Sequence, residues 1–176
     1  ILFVILNSKL EVIMTIENPI IHPDETKEWY NDNGKRHRLD GPAVIHSDGT
    51  KKWYKNGKLH CDDGPAVIWP DGTEEWYKHG KRHRLDGPAI THPRGFEDWY
   101  KYGKLHREDG PAIVRPNGSK IWYKDGERHR EDGPAVIYPD GTKMWYKNGN
   151  PHREDGPAVI WPNGTEEWYK ENKRIK

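Results

Sequence analysis

Apolar residues in this chain arrive in short bursts at fixed intervals, separated by polar, Gly-rich stretches. A Trp-Tyr pair occurs at Trp29-Tyr30, Trp53-Tyr54, Trp76-Tyr77, Trp99-Tyr100, Trp122-Tyr123, Trp145-Tyr146 and Trp168-Tyr169, spaced by 24 residues once and by 23 five times. A second burst follows the tetrad Asp-Gly-Pro-Ala, which starts at Asp40, Asp63, Asp86, Asp109, Asp132 and Asp155, always 23 apart. Histidine keeps the same interval at His37, His60, His83, His106, His129 and His152. A fixed period of this length marks a repeat architecture. No window holds a helical period long enough to compete with strands. Within a unit, Thr73-Glu74-Glu75-Trp76-Tyr77-Lys78 is short and rich in β-formers. Asn56-Gly57, Asp125-Gly126 and Asn148-Gly149 suit the positive φ angles of a type I′ hairpin turn. The run Pro65-Ala66-Val67-Ile68-Trp69-Pro70 leads to another tight turn at Asp71-Gly72. The pattern predicts an all-β fold, an elongated single-layer antiparallel β-meander of six to seven 23-residue β-hairpin repeats. Each unit is read as two unequal strands of about 6 and 13 residues, the excess absorbed by a bulge or bend at Asp-Gly-Pro.

Strand alternation assigns faces. Trp and Tyr of each pair point to opposite sides; Ala66 and Ile68 share one face, Val67 and Trp69 the other. Alanine at one place in all six copies implies close packing under something large, such as a Trp. At about 4.8 Å between strands, equivalent residues of adjacent units lie roughly 10 Å apart, giving a slab roughly 60 Å long.

Composition alone leans toward disorder: 176 residues, 32% hydrophobic, 32% charged, with a mean hydropathy of −1.13. The 9 Trp and 9 Tyr reverse that conclusion, because each buried aromatic removes about 150–250 Å² from water. The core is therefore expected between repeats and not at a globular centre. A net charge of +1 argues against general nucleic-acid binding and against membrane contact through a polybasic patch. The single cysteine, Cys61, excludes a disulfide framework and a Cys-based zinc site. No apolar run reaches membrane-span length, and no secretory signal is visible, so a cytoplasmic location is expected. Residues 1–18 stand apart from the array at 19–176. Alternation at Leu10, Val12, Met14 and Ile16 reads as a strand capping the first unit, the alternative being a natural start at Met14 with 1–13 as an extension.

The unit resembles the MORN repeat, a hairpin of about 23 residues, on Trp76, Gly80, Lys81, His83, Gly87, Gly95 and Trp99. The likeness covers about 19–176. It departs in having His-Arg-x-Asp-Gly-Pro-Ala in place of closely spaced glycines, and in lacking Tyr-x-Gly before the Trp. It looks like a variant branch of the sort met in bacterial, phage and large-virus repeat proteins. The resemblance implies an elongated sheet used for scaffolding and for protein or lipid contact, with no catalytic residues, and a virion location if the setting is viral.

Among candidate chemistries, His-Arg-x-Asp carries the groups of an acid/base site or a phosphate clamp. Six near-identical copies favour a structural role instead, the Arg pairing with the Asp two residues on, since catalysis needs one site with differentiated groups. Equivalent histidines roughly 10 Å apart cannot share a metal ion that needs ligands near 2 Å. Cys61 stands where other units have Arg, and its carboxylate neighbours Asp62 and Asp63 disfavour the thiolate. No metal, cofactor or catalytic residue is therefore expected. Trp53, Trp76, Trp99, Trp122 and Trp145, with Asp63, Asp86, Asp109, Asp132 and Asp155, are read as the structural frame. Function is sought where the frame varies. The position after Val-Ile reads His46, Trp69, His92, Arg115, Tyr138 and Trp161, always large and able to stack or donate a hydrogen bond. The position before Trp-Tyr reads Lys52, Glu75, Asp98, Ile121, Met144 and Glu167. Tyr, Trp and Arg are the residues enriched at binding hot spots. The expectation is a non-enzymatic scaffold engaging a protein through the first row; the alternative is a module stacking carbohydrate or nucleotide on its aromatics. Pairing between copies through open sheet edges is a further expectation.

Overall fold

The computed structural model describes residues 18–170 and 172–176. The expected capping strand at the N-terminus lies outside the described residues. The described chain is all-β, and 14 of its 26 strands form one open, antiparallel sheet in sequence order, running from Ile20–Ile21 to Glu166–Glu167. Neighbouring strands in this sheet are joined alternately by a turn within a unit and by the connection to the next. Val67–Ile68 thus pairs with Glu74–Glu75, which pairs in turn with Ile90 and Thr91.

The strands are shorter and more numerous than the pattern predicts. Each unit has a main-sheet hairpin, such as Val67–Ile68 with Glu74–Glu75, and a separate small hairpin, such as Tyr77–Lys78 with Lys81–Arg82. Nearly all the strands are two residues long, and Ile90–His92 with Phe96–Asp98 are three. The Trp divides what reads as one strand. Trp76 donates its N–H to Ala89 of the next unit at 2.8 Å, yet its carbonyl accepts the His83 N–H at 3.0 Å. One peptide group therefore serves the main sheet and the next serves the small hairpin, and the chain turns between them. The segment from Arg84 to Pro88, between those two bonds, belongs to neither ladder, and Pro88 has no N–H to offer one.

Turn chemistry follows the sequence. In the two-residue turns of the small hairpins both central residues have positive φ, as at Asn56 (53°) and Gly57 (79°) or Asp125 (52°) and Gly126 (93°), whereas in the longer first turn only Gly34 does. His79 and Tyr102 take the same left-handed conformation at 52° and 49°, unusual for such residues. Each stacks on the histidine of the preceding unit, His79 on His60 at 4.6 Å and Tyr102 on His83 at 4.1 Å. The main-sheet turns hold three residues with the third left-handed, a Gly in every turn but the first, where it is Glu25; in most, the preceding Asp or Asn caps the turn, as where Asp48 accepts the Thr50 N–H at 2.8 Å and Asp140 that of Thr142 at 2.8 Å.

Cohesion is between units. The six Asp-Gly-Pro-Ala alanines are all 0% exposed, and Val44, Val67, Val136 and Val159 are buried beside them. Thr50 and Thr142 are buried at the turns. Of the paired tryptophans only Trp29 is buried; the others are half-buried. Small hairpins are tied in series by backbone bonds that skip a unit boundary: Gly80 N–H to Leu59 O and Gly126 N–H to Leu105 O, both 2.8 Å.

Candidate functional site

The variable row sits at the mouth of the main-sheet turns. Trp69 closes its turn by donating its backbone N–H to Thr73 O at 2.9 Å, and Trp161 does the same to Thr165 O at 2.9 Å. Val67 lies opposite Glu75 in the ladder, and the Trp69 indole N–H reaches Glu75 Oε1 at 3.0 Å. The row and the position before Trp-Tyr therefore share a face, as alternation requires. Trp161 repeats the contact with Glu167 Oε1 at 3.3 Å. These two indoles are 37% and 38% exposed; His46, His92, Arg115 and Tyr138 are half-buried.

The tyrosines belong to this face. Tyr77 donates to Glu75 Oε2 at 2.8 Å, and Arg82 Nε reaches the same oxygen at 3.1 Å. Burial and the bond to Glu75 raise the Tyr77 pKa. Glu28 is held in the same way by Tyr30, by Arg36 Nη2 at 2.7 Å and by His22. Burial alone would raise the Glu28 carboxyl, but the Tyr30 bond and the Arg36 charge outweigh it and hold the group below its ordinary value. Arg115 crosses to the preceding unit, Nη1 to Asp98 Oδ1 at 2.5 Å. His92 Nε2 faces Asp71 at 3.4 Å, and its ring meets the Phe96 ring edge-on. Ile121 and Met144 stand in the row before Trp-Tyr, between the acids Asp98 and Glu167, so the charged positions are interrupted by two apolar ones. The hollows beside Trp69 and Trp161 are shallow, of about 480 and 410 Å³, and lined by Pro, Thr and Asp or Asn.

The other side of each unit carries a constellation that the sequence reveals only in part. The expected Arg-Asp pair is present: Arg38, Arg84, Arg107, Arg130 and Arg153 each donate Nε to the Asp two residues on, at 2.8–3.0 Å. Unforeseen is the stack. Each guanidinium lies 3.9–4.2 Å over the Trp ring of its own unit and points Nη1 at a proline carbonyl at 3.4 Å.

Unforeseen too is the part the histidines play. His37, His60, His83, His106 and His129 each accept, at Nδ1, the backbone N–H of the left-handed turn residue in the next unit, at 3.0–3.2 Å. An acceptor Nδ1 requires the neutral ring with its proton on Nε2. That nitrogen faces Asp62 at 2.9 Å in one unit and Glu154 at 3.0 Å in another, whereas Leu39 and Leu85 occupy the corresponding place after His37 and His83. Burial and the charges of Lys78 and Lys101 lower the His83 pKa. The signal in the sequence is the strict recurrence of His beside positions that drift, since an acceptor of fixed geometry restricts which side chains fit there.

Clefts of about 820 and 780 Å³ open between successive loops on this side, near Trp122 and Trp145. They are copies of one another, with the same side chains in the same roles. Among the described residues no group of three or more His, Cys, Asp or Glu side chains is placed to hold a metal ion.

No protein-family model matches the chain, and none of the curated proteins compared with it matches either. A solved structure, the wild-type TCP10 domain of Danio rerio CPAP, aligns at 19% identity over 90% of this chain and 98% of that one, with a TM-score of 0.20. At that TM-score the likeness carries no argument for this chain.

Proposed function

We propose that this chain is a non-enzymatic, MORN-like repeat scaffold that engages a protein partner along the face bearing His46, Trp69, His92, Arg115, Tyr138 and Trp161. One observation carries the reading: within a frame that repeats its backbone bonds unit after unit, this row holds large side chains of differing chemistry, two of them indoles more than a third exposed. Their rims are already oriented by Glu75 and Glu167, so little side-chain entropy remains to be lost on contact. The extended shape suits a partner that meets several units at once. The shallowness of the hollows favours a protein over carbohydrate or nucleotide, since small-ligand sites enclose most of the ligand surface. The identical clefts on the opposite side speak for a structural role there and against catalysis.

The test is affinity capture with the wild-type chain and with a Trp69→Ala, Tyr138→Ala, Trp161→Ala variant, folding being checked by circular dichroism. Loss of a captured protein in the folded variant is the expected result. Undiminished recovery removes the row from the interface, and a saturable fluorescence response to glycans or nucleotides with no captured protein favours the small-ligand alternative.

A further inference from the structure

In the second unit the arginine of the stack is absent. Cys61 occupies its place in the sequence, and every group that receives the guanidinium elsewhere remains. Among the described residues no cation lies over the Trp53 ring, and Asp63, the counterpart of the carboxylates that bind Arg Nε, has no partner. Pro65 supplies the carbonyl that corresponds to the Nη1 acceptor. No neighbour has moved in. At Gly41, Gly87, Gly110, Gly133 and Gly156 a Cβ would meet the arginine Cζ at 2.8–3.2 Å, whereas at Gly64 the only side-chain atom within 4 Å is Cys61 Sγ, at 3.9 Å. Nearby Lys55 is directed to Asp62 instead, at 3.3 Å. The five filled copies show arginine side chains still 22–26% exposed, so the slot opens to solvent.

We infer that Trp53, Asp63 and the Pro65 carbonyl form a vacant guanidinium slot that takes an arginine side chain presented by another polypeptide. The chain itself shows what fits: a planar cation flat on an indole, with Nε on a carboxylate and Nη1 on a carbonyl. Lysine meets this geometry poorly, because its ammonium neither stacks nor forks. The slot lies on the Trp side of the array, whereas the variable row shares its face with the tyrosines, so this inference stands whether or not that row binds a protein.

The test is an NMR titration of the indole N–H resonances of the full chain with N-acetyl-arginine amide, Trp53 being assigned through Trp53→Phe. One stacked cation and one exposed ion pair predict a weak dissociation constant, on the order of 100 mM. The expected result is a saturable shift confined to the Trp53 resonance, with a response to N-acetyl-lysine amide at least about five-fold weaker. Cys61→Arg fills the slot from within and Gly64→Ala places a methyl where the guanidinium would lie; both should abolish the shift. Asp63→Asn, at an exposed position, provides a third variant should either of those misfold, and should weaken binding. No shift of Trp53 at twice the expected constant overturns the inference. So does an equal response to the lysine analogue, or a shift that persists in the folded Cys61→Arg or Gly64→Ala variant.

Discussion

Exchanging the residues of two units, Arg107→Cys and Cys61→Arg, measures what the stacked arginine contributes to the array. In the wild-type chain Arg107 lies 3.9 Å over Trp99 and 3.0 Å from Asp109, a carboxylate that is 82% exposed. A stacked guanidinium that is largely desolvated contributes about 1–2 kcal/mol, and the ion pair with an exposed carboxylate adds little to it. The Nη1 bond to Pro111 O, at 3.4 Å, is long and adds little. Arg107→Cys should therefore destabilise by about 1–2 kcal/mol and Cys61→Arg should stabilise by about the same amount. For a chain of this size each kcal/mol moves Tm by about 2–4 °C. The sites are two units apart and share no partner, so the effects should add, and the double exchange should return to wild-type stability within about 0.5 kcal/mol. Urea and thermal unfolding under reducing conditions supply the numbers, and amide exchange near Trp53 and Trp99 locates them. A Cys61→Arg variant no more stable than wild type would refute the reasoning, because it would mean that the second unit does not present the same receiving groups as the others.

Further outcomes follow from the turns, the buried positions and the titrating groups. Gly126→Ala, at φ 93°, should cost about 1 kcal/mol or more. Gly64→Ala, at an ordinary φ and with no close neighbour, should be neutral or stabilising by up to about 1 kcal/mol; denaturant midpoints compare the two. Val136→Ala removes a fully buried side chain and should lower stability by about 2 kcal/mol, read from the same curves. Because folding lowers the His83 pKa, the unfolded chain binds more protons once the pH drops below about 6.5. The stabilisation is complete above that pH and declines as acid is added, so the urea midpoint should fall between neutral pH and 5. Asp86, Asp109, Asp132 and Asp155 are held below the ordinary carboxylate value by hydrogen bonds from their arginines, so their contribution is lost only at more acid pH, below about 4. His83→Gln should flatten the first of these two phases and leave the second.

The repeat, its period, its β character and its antiparallel order are all legible in the sequence, because each rests on local causes. Asn-Gly and Asp-Gly impose left-handed turns, alternation imposes faces, and recurrence within one chain reveals the unit. The Arg-Asp pair is legible for the same reason, its members being two residues apart. The contacts that join units are not. The His129 ring accepts from Asn148, 19 residues on, and nothing in the local pattern ties those two positions together. The strand lengths differ from the pattern on similar grounds: local propensity reads through Trp76, but the backbone there divides its bonds between Ala89 in the next unit and His83 in its own hairpin. The vacant slot lies between these cases. The sequence shows Cys61 in an arginine's place, yet only the folded copies reveal that the missing side chain belonged on a tryptophan. Sequence alone thus determined what each unit is, since turns and alternation act over a few residues. Tertiary structure decided how units grip one another and where one of them is incomplete, since those forces act between residues that become neighbours only when the array assembles.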